Sequence, residues 1–179
     1  MLETRQDGIK ERGFVMHFRK TISLLVIFLL MMSIPAFSKQ GKNNVSGKVK
    51  VSGDDASVWI DFTAAGAKNS RAIGGSFCCQ PDGEGKKTCA NVVYMKVDGR
   101  YAWLAGKCTS DSSGLAGRWF FMAVHDGGTP GYLADHLWLD WLPDTPDAES
   151  VAKRKVENLE KPANNKSIEA GNIVVEPCK

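Results

Sequence analysis

Asn91-Val-Val-Tyr-Met-Lys-Val-Asp-Gly-Arg-Tyr-Ala-Trp-Leu-Ala105 decides the fold. Two apolar runs, Asn91 to Val97 and Tyr101 to Ala105, flank Asp98-Gly99. Asp-Gly tolerates the positive φ values of a two-residue turn, so the stretch reads as a tight β-hairpin. Upstream, Val45, Gly47, Val49 and Val51 share one side of an alternating run, and Val58, Ile60 and Phe62 share one side of the next. Ala72 to Cys79 then faces the Asn91 run across the turn-rich loop Gln80 to Thr88. Downstream, past a polar loop (Thr109 to Gly114), come Arg118 to His125, Leu137 to Leu142 and Asn172 to Glu176. About eight strands at roughly 8–12-residue spacing predict an all-β, single-domain antiparallel sandwich or small barrel. Only Asp147 to Lys161 argues for helix: Val151, Val156 and Leu159 make a weak stripe, with Pro143, Pro146 and Pro162 around it. A short, partly helical insertion over 147–162, of one or two turns, is expected near the C-terminus.

The N-terminus reads as an address. Arg19 and Lys20 precede the apolar run Ile22 to Ile34, followed by Pro35 and the small residues Ala36 and Ser38. The run is shorter than the about 20 residues a spanning helix needs. It fits a secretory signal over 1–38, with Met16 as an alternative start. A linker, 39–43, then leads into an exported domain, 44–179, with no membrane span once the signal is removed.

Of 179 residues, 43% are hydrophobic and 24% charged, which excludes a disordered or collagen-like chain. The 23 basic and 20 acidic residues nearly cancel, which excludes the concentrated basic face of a nucleic-acid binder. All five cysteines follow the leader, and an oxidising compartment favours disulfides. Alternation points Cys78 and Cys79 to opposite faces, so one of them can meet Cys89. Cys79–Cys89 and Cys108–Cys178 are the candidate bridges, with one thiol left over. Adjacent cysteines lack the spacing of a zinc site.

The densest motif, Asp126-Gly-Gly-Thr-Pro-Gly-Tyr-Leu-Ala-Asp135, has a carboxylate at each end. Asp126 and Asp135 suit two jobs: accepting backbone N–H groups to hold the loop shut, or ligating calcium, which wants roughly six to eight oxygens. His125 and His136 flank the same loop. A hydrolase would need a nucleophile from Ser110, Ser112 or Ser113, and no Gly-x-Ser-x-Gly elbow is present. Strand alternation puts Trp138 and Asp140 opposite the core, and Trp119 opposite Phe120. These three residues are candidates for a ligand-binding face; an apolar layer covered by the 147–161 insertion is the packing alternative.

Gly106-Lys-Cys-Thr109, Trp119 to Val124, Asp126-Gly-Gly-Thr-Pro-Gly131, Asp135-His-Leu-Trp-Leu139 and Gly171-Asn-Ile-Val-Val175 occur in one order. Over Gly106 to Val175 the chain resembles the post-COAP-type domain, a β-rich module at the C-termini of secreted bacterial proteins. The resemblance implies export, an all-β fold and no assigned catalytic activity. The chain departs from it by the insertion between Leu142 and Ile168 and by Cys78, Cys79 and Cys89. The expectation is a non-catalytic structural or interaction module at the cell envelope or outside the cell, secreted or periplasmic. Its partner would be a cell-surface protein or a glycan. The alternative is a carbohydrate-binding module, assisted by calcium.

Overall fold

The computed structural model describes residues 41–52, 56–67, 72, 74–83, 85, 87–110, 114–128 and 133–178. The signal at 1–38, residues 129–132 of the glycine loop, and Ser112 and Ser113 lie outside the described residues. The expected hairpin is the centre of a nine-stranded antiparallel sheet. Its strands are β1 (Asn43–Val51), β2 (Val58–Gly66), β3 (Gly74–Pro81), β4 (Thr88–Asp98), β5 (Tyr101–Ser110), β6 (Trp119–His125), β7 (His136–Trp141), β8 (Asn165–Lys166) and β9 (Ile168–Glu176). One helix, α1 (Ala148–Glu157), lies between β7 and β8.

The strand order is β8-β7-β6-β5-β4-β3-β2-β1-β9. β8 and β9 stand at opposite edges of the sheet, yet only Ser167 separates them in the chain. One segment therefore runs along both edges, and the sheet curls into a nearly closed barrel rather than a sandwich. The Ser167 carbonyl accepts the Ser52 N–H at 3.0 Å, which carries the β1–β9 pairing one residue past Val51 and Ile168. Inside, Phe62, Phe77, Phe120, Leu104, Met122 and Leu137 are fully buried. Phe77 of β3 stacks on Phe120 of β6 at 4.6 Å, and Trp141 meets both rings edge-on. Interior room is matched to side-chain size: Gly47 sits opposite Phe62, and the space it leaves is filled by that ring.

The outer face of β5 and β6 is also dry. Trp119 to Val124 are six consecutive buried residues, the pattern of a strand covered on both faces. α1 supplies the cover, packing Ala148, Ala152 and Val156 against Trp103, Trp119 and Phe121. The helix has ten residues, longer than the sequence suggests, and its buried stripe runs through alanines. Val151 and Leu159 are only partly buried. Alanine carries a weak hydrophobic signal but allows a helix axis to approach a sheet lined with tryptophan. Arg118 fixes the approach to the helix, donating from Nε and Nη2 to the Leu142 carbonyl at 3.2 and 2.9 Å.

β9 begins at Ile168, earlier than expected, because Glu169-Ala-Gly-Asn172 shows no apolar alternation. Gly171 there has φ +109°, and a Cβ would collide with the Lys48 carbonyl, so backbone packs on backbone. The disulfide also differs from expectation: Cys78, not Cys79, bonds Cys89. Register decides this. Cys78 is directly opposite Cys89 across β3 and β4, whereas Cys79 is opposite Thr88 and packs against the core. Cys108 and Cys178 are not bonded either. Cys108 is a buried thiol donating to the Cys89 and Ser110 carbonyls, near the β4–β5 end that holds Thr88. Cys178 sits at the other end of the strands, its N–H donated to the Asn43 side chain at 2.7 Å.

Mass spectrometry of the non-reduced protein checks the pairing. Reduction adds mass to the wild type and to Cys79→Ser, and adds none to Cys78→Ser or Cys89→Ser. Losing this bridge, with its sequence separation of 11, lowers stability by about 2–3 kcal/mol.

Candidate functional site

Asp126 follows β6 and Asp135 precedes β7, so the barrel's architecture brings both carboxylates to the exposed edge of β9. Asp135 Oδ2 accepts the Ile173 N–H at 2.8 Å, and Asp126 Oδ2 accepts the Val175 N–H at 3.1 Å. The second oxygen of each turns to the loop itself. Asp135 Oδ1 takes the Gly127 N–H at 2.9 Å, and Asp126 Oδ1 takes the Gly128 N–H at 2.7 Å. Asp135 is 5% exposed. Gly127 passes so near Ala134 that a Cβ would not fit, which closes the neck of the loop. The holding role expected for this pair is present and reaches further than the loop, clamping β9 to the β6–β7 connection. All four oxygens face amide protons, the opposite of the field a cation needs. Among the described residues no group of three or more His, Cys, Asp or Glu could hold a metal ion.

The outer face of β5, β6 and β7 carries a connected strip of rings. Tyr101, His125 and His136 are direct cross-strand neighbours, while Trp103 and Trp138 flank Ala123 further along. The rings stack in the order Trp103, Tyr101, His125, His136, Trp138, with centroid separations of 5.8, 4.3, 5.8 and 5.5 Å. Lys161, in the chain after α1, lays Nζ 4.9 Å from the Tyr101 ring and 4.7 Å from the Trp138 ring, a cation–π contact with two rings of the strip. Trp103 Nε1 and His125 Nδ1 are buried and have no hydrogen-bond partner among the described residues.

The expected ligand face is thus divided. Trp119 is 7% exposed beneath α1 and stacks on Tyr94, so it belongs to the packing alternative and offers no surface. Trp138 is half-buried beside Lys161. Asp140 ties down the chain after α1, accepting the Ala163 N–H at 3.0 Å and the Asn164 side-chain amide. Of the three candidate nucleophiles only Ser110 is described; it ends β5 at the end away from Tyr101, the residue paired with His125, and both Asp126 oxygens accept backbone amides.

Sequence reasoning missed Lys161, Tyr101 and an apolar cavity of about 420 Å³ at the barrel end away from the aspartates. A cavity is a lack of atoms between strands and leaves no mark in periodicity. Near that end, Glu169 accepts hydrogen bonds from Ser52 Oγ at 2.7 Å and Ser57 Oγ at 2.8 Å, which hold its carboxyl below the usual glutamate range. Lys50 pairs with Asp82 at 2.6 Å and lowers that carboxyl in the same way. No protein-family model, curated protein or solved structure matches the chain. The likeness to the post-COAP-type domain therefore rests on the order of its motifs alone.

Two outcomes follow from these contacts. Asp135→Ala leaves two amides without acceptors and lowers stability by about 2–4 kcal/mol in chemical denaturation, against about 1–2 for the more exposed Asp126→Ala. Because Glu169 and Asp82 titrate low when folded, their stabilisation is present above the ordinary values of 4.5 for the glutamate and 3.8 for the aspartate and is lost as pH falls below them. Melting temperature therefore drops on acidification, and less steeply in Glu169→Gln.

Proposed function

We propose that the chain is an exported, non-catalytic β-barrel domain acting as a binding module at the cell envelope or outside the cell. One observation carries this reading: the three carboxylates on and beside the glycine loop and β7 are used up by the fold. Asp126, Asp135 and Asp140 hold backbone amides of β9, of their own loop and of the chain after α1. His125 and His136 stack with their neighbours. A catalytic carboxylate or imidazole must instead reach a reacting group and be oriented toward it. The cross-strand Cys78–Cys89 bridge supports export, since such bonds persist in oxidising compartments.

The surface this reading assigns to a partner is the strip of half-buried Tyr101 and Trp138 and exposed His136 beside Lys161. A cell-surface protein is the partner class proposed. A glycan is the second reading, favoured by the stacked rings. A sugar would have to displace Lys161 from the ring faces.

Fractionation with thiol alkylation tests the export half. The full chain expressed in a bacterium is recovered outside the cytoplasm with Cys78 and Cys89 oxidised; a cytoplasmic pool with both reduced contradicts it. Trp138→Ala tests the surface by weakening retention of the purified protein on intact cells about tenfold or more, the loss of roughly one aromatic contact. Unchanged retention removes the strip from the account. A glycan array separates the partner classes, since the protein-partner reading predicts no signal.

A further inference from the structure

The barrel is shut by aspartates at one end and open at the other. At the open end, the pairing of β7 with the closing segment is only two residues long, and β1 bulges between Lys50 and Val51 where it meets β9. Between them lies the cavity of about 420 Å³. Its wall is made by core-facing side chains: Val51 and Ile60 are buried, Leu139 is 9% exposed, and Val58 and Trp141 are partly buried against the core. Hydrocarbon is therefore the chemistry that fills it favourably, at roughly 0.8 kcal/mol per buried methylene. An apolar cavity of about 150 Å³ holds a benzene, so this one holds a chain of roughly ten carbons.

Polar groups occur at its rim, and most already have partners. Ser52 donates to Glu169, and Asn164 donates to Asp140, which also accepts the Ala163 N–H. Lys166, the cation among the lining residues, enters no ion pair among the described residues. An apolar wall with a cation at its rim is the arrangement that takes an amphiphile, tail inward and anionic head outward. The geometry points to a medium-chain carboxylate, of fatty-acid type, as the ligand of this end of the barrel. The Asp140 charge on the same rim is turned toward residues 163 and 164, which leaves Lys166 to receive the head. This site draws on β1, β2, β3 and β8 and shares only β7 with the ring strip, whose rings are none of its lining residues.

Titration of the full-length protein with decanoate and with decanol, read by calorimetry and by Trp141 emission, tests the site. Saturable decanoate binding is expected, with decanol weaker by about tenfold, the effect of one charge-assisted contact. Lys166→Gln should cost decanoate that factor and leave decanol unchanged. Val58→Trp fills the cavity, and Ser52→Trp blocks it from an exposed position that carries little risk to folding; both should abolish binding. Binding of neither compound, or binding that survives both blocking variants, overturns the site. Equal binding of the two compounds, unaffected by Lys166→Gln, overturns the carboxylate assignment.

Discussion

Two carboxylates hold the last seam of the barrel. A curled sheet that does not complete its hydrogen-bond ladder presents a row of edge amides, and buried amides need acceptors. In this chain the amides of Ile173 and Val175 face the gap between β9 and β7, and Asp135 and Asp126 supply the oxygens that a neighbouring strand would have supplied. The same two side chains cap the glycine loop from which they project. Four charge-assisted bonds thus join three pieces of chain, and charge assistance makes each stronger than a neutral ladder bond.

The rest of the molecule follows from where that clamp is and where it is not. Closure at the aspartate end brings β5, β6 and β7 into one smooth outer wall, too apolar to face water, and α1 covers it through an alanine stripe. The chain leaving the helix must then return to β8, and on the way Lys161 crosses the ring strip while Asp140 pins residues 163 and 164. At the far end the carboxylate of Glu169 holds the Ser52 and Ser57 hydroxyls and no edge amide among the described residues. The two-residue β8 and the bulge in β1 leave the strands apart, and the lumen opens into an apolar cavity.

The β4–β5 hairpin was legible because a glycine turn is a local signal, although the turn residues are Gly99 (φ +56°) and Arg100, with Asp98 still paired to Tyr101, and not Asp98-Gly99; the buried run Trp119 to Val124 was legible because it is apolar without interruption. The clamp was half legible. Two aspartates around a glycine loop signal amide acceptors, but their other partners, Ile173 and Val175, are 38 and 49 residues away and act through backbone N–H groups that every non-proline residue has. The choice of Cys78 over Cys79 rests on a register that alternation leaves open by one residue, and one residue is the whole difference between faces. Trp119 is legible in part: alternation sets it on the outer face and the 147–161 insertion is its cover, but of the stripe expected there, Val151, Val156 and Leu159, only Val156 belongs to the buried face, whose other members are Ala148 and Ala152. β8 and the first half of β9 carry pairing without burial, and periodicity detects burial alone.

Hydrogen exchange at the Ile173 and Val175 amides tests the clamp most directly, followed residue by residue in the wild type and in Asp135→Ala. If the carboxylates complete the seam, both amides are protected in the wild type as strongly as those of β5 at the centre of the sheet, and the substitution releases Ile173 while Val175, held by Asp126, and β5 stay protected. Wild-type exchange at the rate of open edge amides would contradict the account.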